Sequence, residues 1–174
     1  MPSRASRWCR ARTTACLFAV TAALGSAAAQ DRRNVFDDPF LQATSAVADC
    51  PPPEGPLVTP AEVRERAHVR VQHGGSCCYS GRCRLPNSYL YDKEIAPRVV
   101  QFIQRDGRFD ASSLWVLSQR RIVTLMGCVA SREQADALER SVALVDDVMN
   151  VVLELRIGPQ AKPPYKPAED AAKR

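Results

Sequence analysis

The chain has 174 residues, 45% of them hydrophobic, with 24 basic side chains against 19 acidic ones, a formal net charge of +5 and a sequence pI near 9.0. Four of the bases, Arg4, Arg7, Arg10 and Arg12, fall in the first 29 residues, where there is no acid, so twenty bases face nineteen acids in the rest. A remainder so nearly neutral has no electrostatic footprint for nucleic acid and only weak attraction to anionic lipid, and about 145 residues suit one domain with extensions.

Residues 1–29 read as a secretory signal peptide. The arginines form a positive start, Ala15 to Leu24 is an apolar run, and Ala27-Ala28-Ala29 offers small residues for cleavage before Gln30. About ten apolar residues are too few for the ~20 that a spanning helix requires. The expected destination is the periplasm or the extracellular space. Residues 30–58 form a polar, Pro-rich arm in which Phe40 to Val47 suits a short helix and Pro51-Pro52-Pro53 ends regular structure.

Residues 59–91 read as a helix followed by a Cys-rich loop. Thr59-Pro60-Ala61-Glu62 carries an N-cap, a proline for the first helical position and a glutamate to complete a capping box. Val63, Ala67 and Val71 follow at four-residue spacing, and Gly74-Gly75 closes the helix. Two of the seven cysteines, Cys9 and Cys16, belong to the leader, which leaves Cys50, Cys77, Cys78, Cys83 and Cys128. In an oxidising compartment such cysteines pair. Cys77 or Cys78 can join Cys83 around Tyr79-Ser80-Gly81, and Cys50 can take the neighbour left over, so Cys50, Cys77, Cys78 and Cys83 are the disulfide candidates. Cys128 reads as a small buried residue, as a bridge to another chain given the odd count, or as a partner of the loop should that loop fold over its strand.

A metal centre is not expected. His68 and His73 precede the cysteines, but they stand at i and i+5, and the Cys spacing is not that of a zinc finger or ribbon. There is no Cys-x-x-Cys for a thiol redox centre and no Cys-x-x-Cys-His for haem, so no cofactor is expected.

From Asp92 the pattern becomes regular. Ile95, Val99, Phe102 and Ile103 make an apolar helix face, with Pro97 near its start and Gly107 as its stop. Leu114–Gln119, Ile122–Val129 and Met149–Ile157 have strand character, and Val123, Leu125, Gly127 and Val129 share one side of the pleat. A helix from about Ser131 to Val145 joins the last two strands. Ala135, Leu138, Val142 and Val145 form its stripe, and Ser131 with Gln134 forms its capping box. Residues 159–174, rich in Pro and Lys, read as a disordered tail.

The run Ile122-Val-Thr-Leu-Met-Gly-Cys-Val129, then Ser131 opening a helix, then Val145-Asp-Asp-Val148 and Val151, resembles a BON domain, a family of bacterial osmotically induced envelope proteins. Leu125, Gly127, Val129, Val148 and Val151 fall on that family's pattern, with Gly127 as its structural glycine. Three positions depart from it: the hairpin turn is Gln119-Arg120-Arg121 without glycine, Asp147 stands where glycine precedes Val148, and Leu153 replaces a frequent asparagine. The resemblance implies an α+β fold over residues 92–158, an αββαβ unit with its helices on one face of a three-stranded sheet. It also implies association with phospholipid membranes in envelope maintenance or osmotic stress.

No catalytic motif accompanies this fold. Gly-x-Ser-x-Gly, a phosphate loop and His-Glu-x-x-His are all absent. Asp146-Asp147 reads as a turn, and Glu154 as a solvated strand residue. The pair Arg120-Arg121 at the hairpin tip is the candidate contact for phosphate headgroups, against the plainer reading of two solvated turn residues. The expectation is a non-enzymatic envelope module whose partner is a phospholipid surface or, in the competing class, another envelope protein docked on a sheet edge.

Overall fold

The computed structural model describes residues 31–168; residues 1–30, which include the expected signal peptide, and residues 169–174 lie outside them. Four strands, β1 (Phe40–Ser45), β2 (Ser113–Gln119), β3 (Ile122–Val129) and β4 (Asn150–Ile157), make one sheet in the order β1-β2-β3-β4. β1, β2 and β3 run antiparallel in succession, and β4 lies parallel to β3. Helices α1 (Val63–Gly74), α2 (Ser76–Tyr79), α3 (Asp92–Asp106) and α4 (Arg132–Val142) complete the regular structure, with a 3-10 turn at Ser88–Tyr91.

The core lies between one sheet face and two helices. α3 contributes Ile95, Val99 and Ile103, and α4 contributes Ala135, Leu138 and Val142. They meet Leu114 and Val116 of β2 and Val123 and Leu125 of β3, all fully buried. The period-two pattern of the strands and the stripes of both helices therefore face one another, as their spacing requires. α4 starts where its capping box does: the Gln134 backbone N–H donates to Ser131 Oγ, and the Ala130 N–H donates to Gln134 Oε1. Its regular part ends at Val142, and residues 143–145 turn toward β4. At the start of α1, Thr59 and Glu62 bond reciprocally, although the regular helix begins at Val63.

The arm departs from expectation. Phe40–Ser45 is a strand and not a short helix, so the sheet has four strands instead of three. β2 offers an unpaired edge, and β1 fills it from Phe40↔Leu117 to Ser45↔Ser113 with an irregularity at Ala43. Pairing with that edge overrides a weak local preference. Ala43 reaches the core through the irregularity, and its carbonyl accepts from Gln104 of α3.

The tail departs as well, as far as Ala168. Glu54 N–H donates to the Lys166 carbonyl and Ala168 N–H to the Pro52 carbonyl, which pairs the tail with the Pro-rich arm. Tyr165 is buried, and its hydroxyl donates to the Pro51 carbonyl at 2.7 Å. Burial pushes that phenol up to about 12. One buried aromatic with a backbone partner orders a segment whose composition reads as disordered.

Beneath Tyr165 lies the disulfide Cys50–Cys128, with the phenol oxygen 3.6 Å from Cys50 Sγ and 3.9 Å from Cys128 Sγ. Cys128 belongs to the sheet face turned away from α3 and α4, where it pairs across with Ser113 and Arg156. Arm and tail are thus fastened over the face that the helices leave open. Arg156 on the same face is buried and pairs with Asp49 at 3.2 Å.

The second disulfide joins Cys77 to Cys83, and Cys78 is a free thiol. Of the four disulfide candidates, Cys77 and Cys83 pair as anticipated. Cys50 does not pair with the leftover neighbour Cys78. Once β1 extends along β2, the chain after it crosses the outer face and meets Cys128 first.

Candidate functional site

The hairpin tip shows how the fold manages without the glycine its turn favours. A two-residue hairpin loop needs positive φ at both central positions, and Arg120 and Arg121 adopt φ of 57° and 66°. Side chains other than glycine, Asn and Asp rarely sit there, so neighbours must hold the turn. Asp92 does this from the first residue of α3. It accepts from the Arg120 N–H at 2.6 Å, the Arg121 N–H at 2.8 Å and the Ser118 hydroxyl at 2.8 Å. Burial nevertheless raises the Asp92 carboxyl above its usual range, outweighing the hydrogen bonds from Arg121, Ser118 and Arg120 that favour its charged form.

Removing this carboxylate strands two backbone donors and a hydroxyl. Asp92→Ala is expected to cost about 3 kcal/mol, with Asp92→Asn between it and wild type because the amide keeps one acceptor. Urea denaturation measures both, and an unchanged midpoint for the alanine variant would contradict this role.

The candidate pair Arg120 and Arg121 is split by the structure. Arg121 turns its guanidinium to the protein: Nε donates to the Asp147 carbonyl at 2.8 Å, Nη1 lies 2.9 Å from Cys83 Sγ, and the group stacks 4.8 Å from the Tyr91 ring centre. Arg120 uses its backbone N–H in the turn, and among the described residues its side chain forms no ion pair. The tip therefore presents one free cation and not two.

A different surface gathers apolar and charged groups. The outer side of α3 and the turn between α4 and β4 enclose a groove of about 470 Å³, lined by Arg98, Phe102, Arg105, Leu144, Val145 and Asp146 among others. Arg98 spans it: Nη1 donates to the Asp146 carbonyl at 3.0 Å, and Nη2 pairs with Asp147 Oδ2 at 3.0 Å. Asp147 sits at φ 70°, a left-handed conformation that glycine adopts freely and Asp tolerates better than most residues. Leu144 is 83% exposed, and Arg105 and Asp146 are exposed on either side. Phe102, Val145 and Asp146 were read from the sequence as helix-face and turn residues, and none of the groove residues stood out as a binding site. The one available signal was Leu144 itself, an apolar residue just off the stripe that ends at Val145.

The cysteine region gathers less. His68 and His73 are both exposed on α1, and among the described residues no group of three or more His, Cys, Asp or Glu is placed to hold a metal ion. No described helix is long and apolar enough to cross a membrane. A second cleft of about 320 Å³ is closed by Arg70, which lies 3.8 Å from the Tyr89 ring centre and 4.6 Å from that of Phe36. Its guanidinium is held by the buried Asp38 at 2.8 and 2.9 Å, so its charge is already met.

Compared with known proteins, residues 91–159 match the family model of the BON domain. No curated protein and no solved structure gives a significant match to the chain. The match begins at Tyr91, beside the first residue of α3, and ends two residues past β4, so it spans the two-helix core, the hairpin and the groove. It is to the BON domain family that residues 91–159 of this chain are similar.

Proposed function

We propose that the protein is an exported, non-enzymatic module of the cell envelope that binds phospholipid surfaces through the groove between α3 and the α4–β4 turn. The observation that carries this reading is Leu144, 83% exposed at the groove with Arg105 beside it. An exposed leucine recovers roughly 1.5–3 kcal/mol when it leaves water, and an arginine at its side donates to phosphate. Asp146 on the same rim suits the ammonium of a zwitterionic headgroup, which agrees with the near-neutral charge of the chain after its leader. The leader pattern and the envelope association of BON proteins support an envelope location.

Sedimentation with vesicles of phosphatidylethanolamine and phosphatidylglycerol tests this, with phosphatidylcholine vesicles for comparison. Leu144→Asp is expected to weaken pelleting at least tenfold, since 1.4 kcal/mol corresponds to about a factor of ten. Arg105→Ala should weaken it a few-fold and remove its salt dependence, while Arg120→Ala stays close to wild type. Absence of pelleting under every condition would sink the lipid reading.

A second reading rests on β4. This eight-residue strand is the last in the sheet, paired with β3 on one side only among the described residues, with Val152 exposed on it and Met149 exposed just before it. Such an edge accepts a strand from another protein. Strand docking persists at high salt, whereas the headgroup contact weakens.

A further inference from the structure

The two disulfides occupy different surroundings. Cys50–Cys128 is buried under Tyr165 between the sheet and the arm. Cys77–Cys83 links α2 to the loop after it, with Cys83 half-buried and Arg121 Nη1 2.9 Å from its sulfur. A disulfide sulfur is a weak acceptor, whereas a thiolate is a full anion. The Arg121 guanidinium, held in place by the Asp147 carbonyl and the Tyr91 ring, therefore favours the reduced state of Cys83 far more than the oxidised one. Arg84, the next residue after Cys83, stacks 5.1 Å from the same Tyr91 ring and adds a second positive charge nearby.

α1 is anchored by Arg70 on Asp38, but residues 75–82, the segment that carries Cys77, bury little apolar surface. In α1 only Gly74 is buried, in α2 only Cys77, and Val71 and Tyr79 are 80% and 92% exposed. Few buried apolar contacts mean that this segment opens locally without disturbing the main core. That opening gives access to Cys77, which is shielded when the segment is closed.

We propose that Cys77–Cys83 is an exchangeable disulfide that takes two electrons from a dithiol, with Cys83 leaving as a thiolate onto Arg121. One thiolate of the dithiol attacks Cys77 Sγ. A mixed disulfide forms, the Cys77–Cys83 bond breaks, and its electron pair goes to Cys83 Sγ. The second thiol of the reductant loses its proton to solvent and attacks the reductant's own sulfur in the mixed disulfide. Cys77 leaves as a thiolate and takes up a proton, so the protein disulfide is reduced and the dithiol becomes a disulfide. This site is separate from the lipid groove and does not depend on it.

The test uses the full chain after its leader with Cys78→Ser, so that no neighbouring thiol can shuffle. The protein is equilibrated against reduced and oxidised dithiothreitol, trapped by alkylation and read by mass spectrometry, with near-ultraviolet circular dichroism reporting the fold. Cys77–Cys83 should open while Cys50–Cys128 and the fold persist. Arg121→Met should slow that opening about three- to tenfold, and Arg121→Lys should restore part of the rate, because a poorer leaving thiolate exchanges more slowly. Since Arg121 also supports the hairpin, a second readout needs no variant at that position. In the reduced Cys78→Ser protein, Cys83 should react with iodoacetamide with a midpoint below the ~8.5 of an unperturbed thiol. The proposal is overturned if both disulfides open only together with unfolding, if a folded Arg121→Met protein opens at the parent rate, or if the Cys83 midpoint lies at or above that value.

Discussion

Replacing Gly127 by alanine is expected to destabilise the domain by about 3–5 kcal/mol, a large share of the roughly 5–15 kcal/mol by which folded domains are stable. Gly127 lies in the middle of β3 at φ 132°, opposite Leu114 of β2 and Leu155 of β4. A Cβ added there would lie 2.0 Å from the Ser113 carbonyl oxygen and 3.1 Å from the Leu114 Cα. Both obstacles are backbone in a paired strand and cannot move aside as a flexible side chain would. Steric overlap of about 1–3 kcal/mol and backbone strain of similar size act together. Thermal and urea unfolding of Gly127→Ala would show this, with Ala130→Gly as a nearby control. A loss below about 1 kcal/mol would mean that the strand shifts easily, and the account of this glycine would be wrong.

The second large effect is expected at the outer disulfide. Cys50 and Cys128 are 78 residues apart in sequence, whereas Cys77 and Cys83 are separated by six. Restricting the unfolded chain over the longer loop is worth about 4 kcal/mol on the chain-entropy account, against roughly 2 for the shorter. Cys50→Ala/Cys128→Ala should therefore lose about 4 kcal/mol in urea unfolding, and proteolysis should reach residues 46–58 and 159–168 before the helix-covered core. The control pair Cys77→Ala/Cys83→Ala should lose half as much or less. Equal losses for the two pairs, or a protected arm after removal of the Cys50–Cys128 bond, would contradict the fastening role.

What the sequence revealed follows from where its signals were local. The stripes of α3 and α4, strand alternation, the Ser131 cap and the stop at Gly107 depend on residues a few positions apart, and the structure repeats them, whereas α1 starts at Val63 instead of being capped by Thr59 and leaves Val71 of its expected stripe 80% exposed. The BON pattern was legible for the same reason, because Leu125, Gly127 and Val129 lie within one strand. The fourth strand was not. Phe40–Ser45 has no strong alternation of its own and becomes a strand only because β2 offers it an edge. Tyr165 was hidden in a Pro- and Lys-rich run, where a single aromatic weighs little in composition yet decides the local order once Pro51 accepts its hydroxyl.

The site was less legible than the fold. Arg120 and Arg121 are adjacent in sequence and look alike, but the turn sends their side chains to different environments, and only Arg121 meets Tyr91, Cys83 and Asp147. Those three partners lie 30, 38 and 26 positions away in sequence, beyond the reach of any local pattern. The groove at Leu144 also joins two segments distant in sequence, tied by Arg98 to the turn at Asp146 and Asp147, 48 and 49 positions away. Asp92 shows the opposite case: the missing hairpin glycine was visible, but the carboxylate that compensates for it was not.

On the proposed function, the BON-like region meets a phospholipid surface at Leu144 and not at the hairpin tip. The most direct measurement places an environment-sensitive fluorophore at Leu144→Cys, and in a separate protein at Arg120→Cys, each with Cys78→Ser. Each protein is titrated with vesicles of phosphatidylethanolamine and phosphatidylglycerol. The account predicts a blue shift at position 144 that saturates with lipid, and no comparable shift at position 120. A shift at 120 without one at 144, or none at either position, would contradict it.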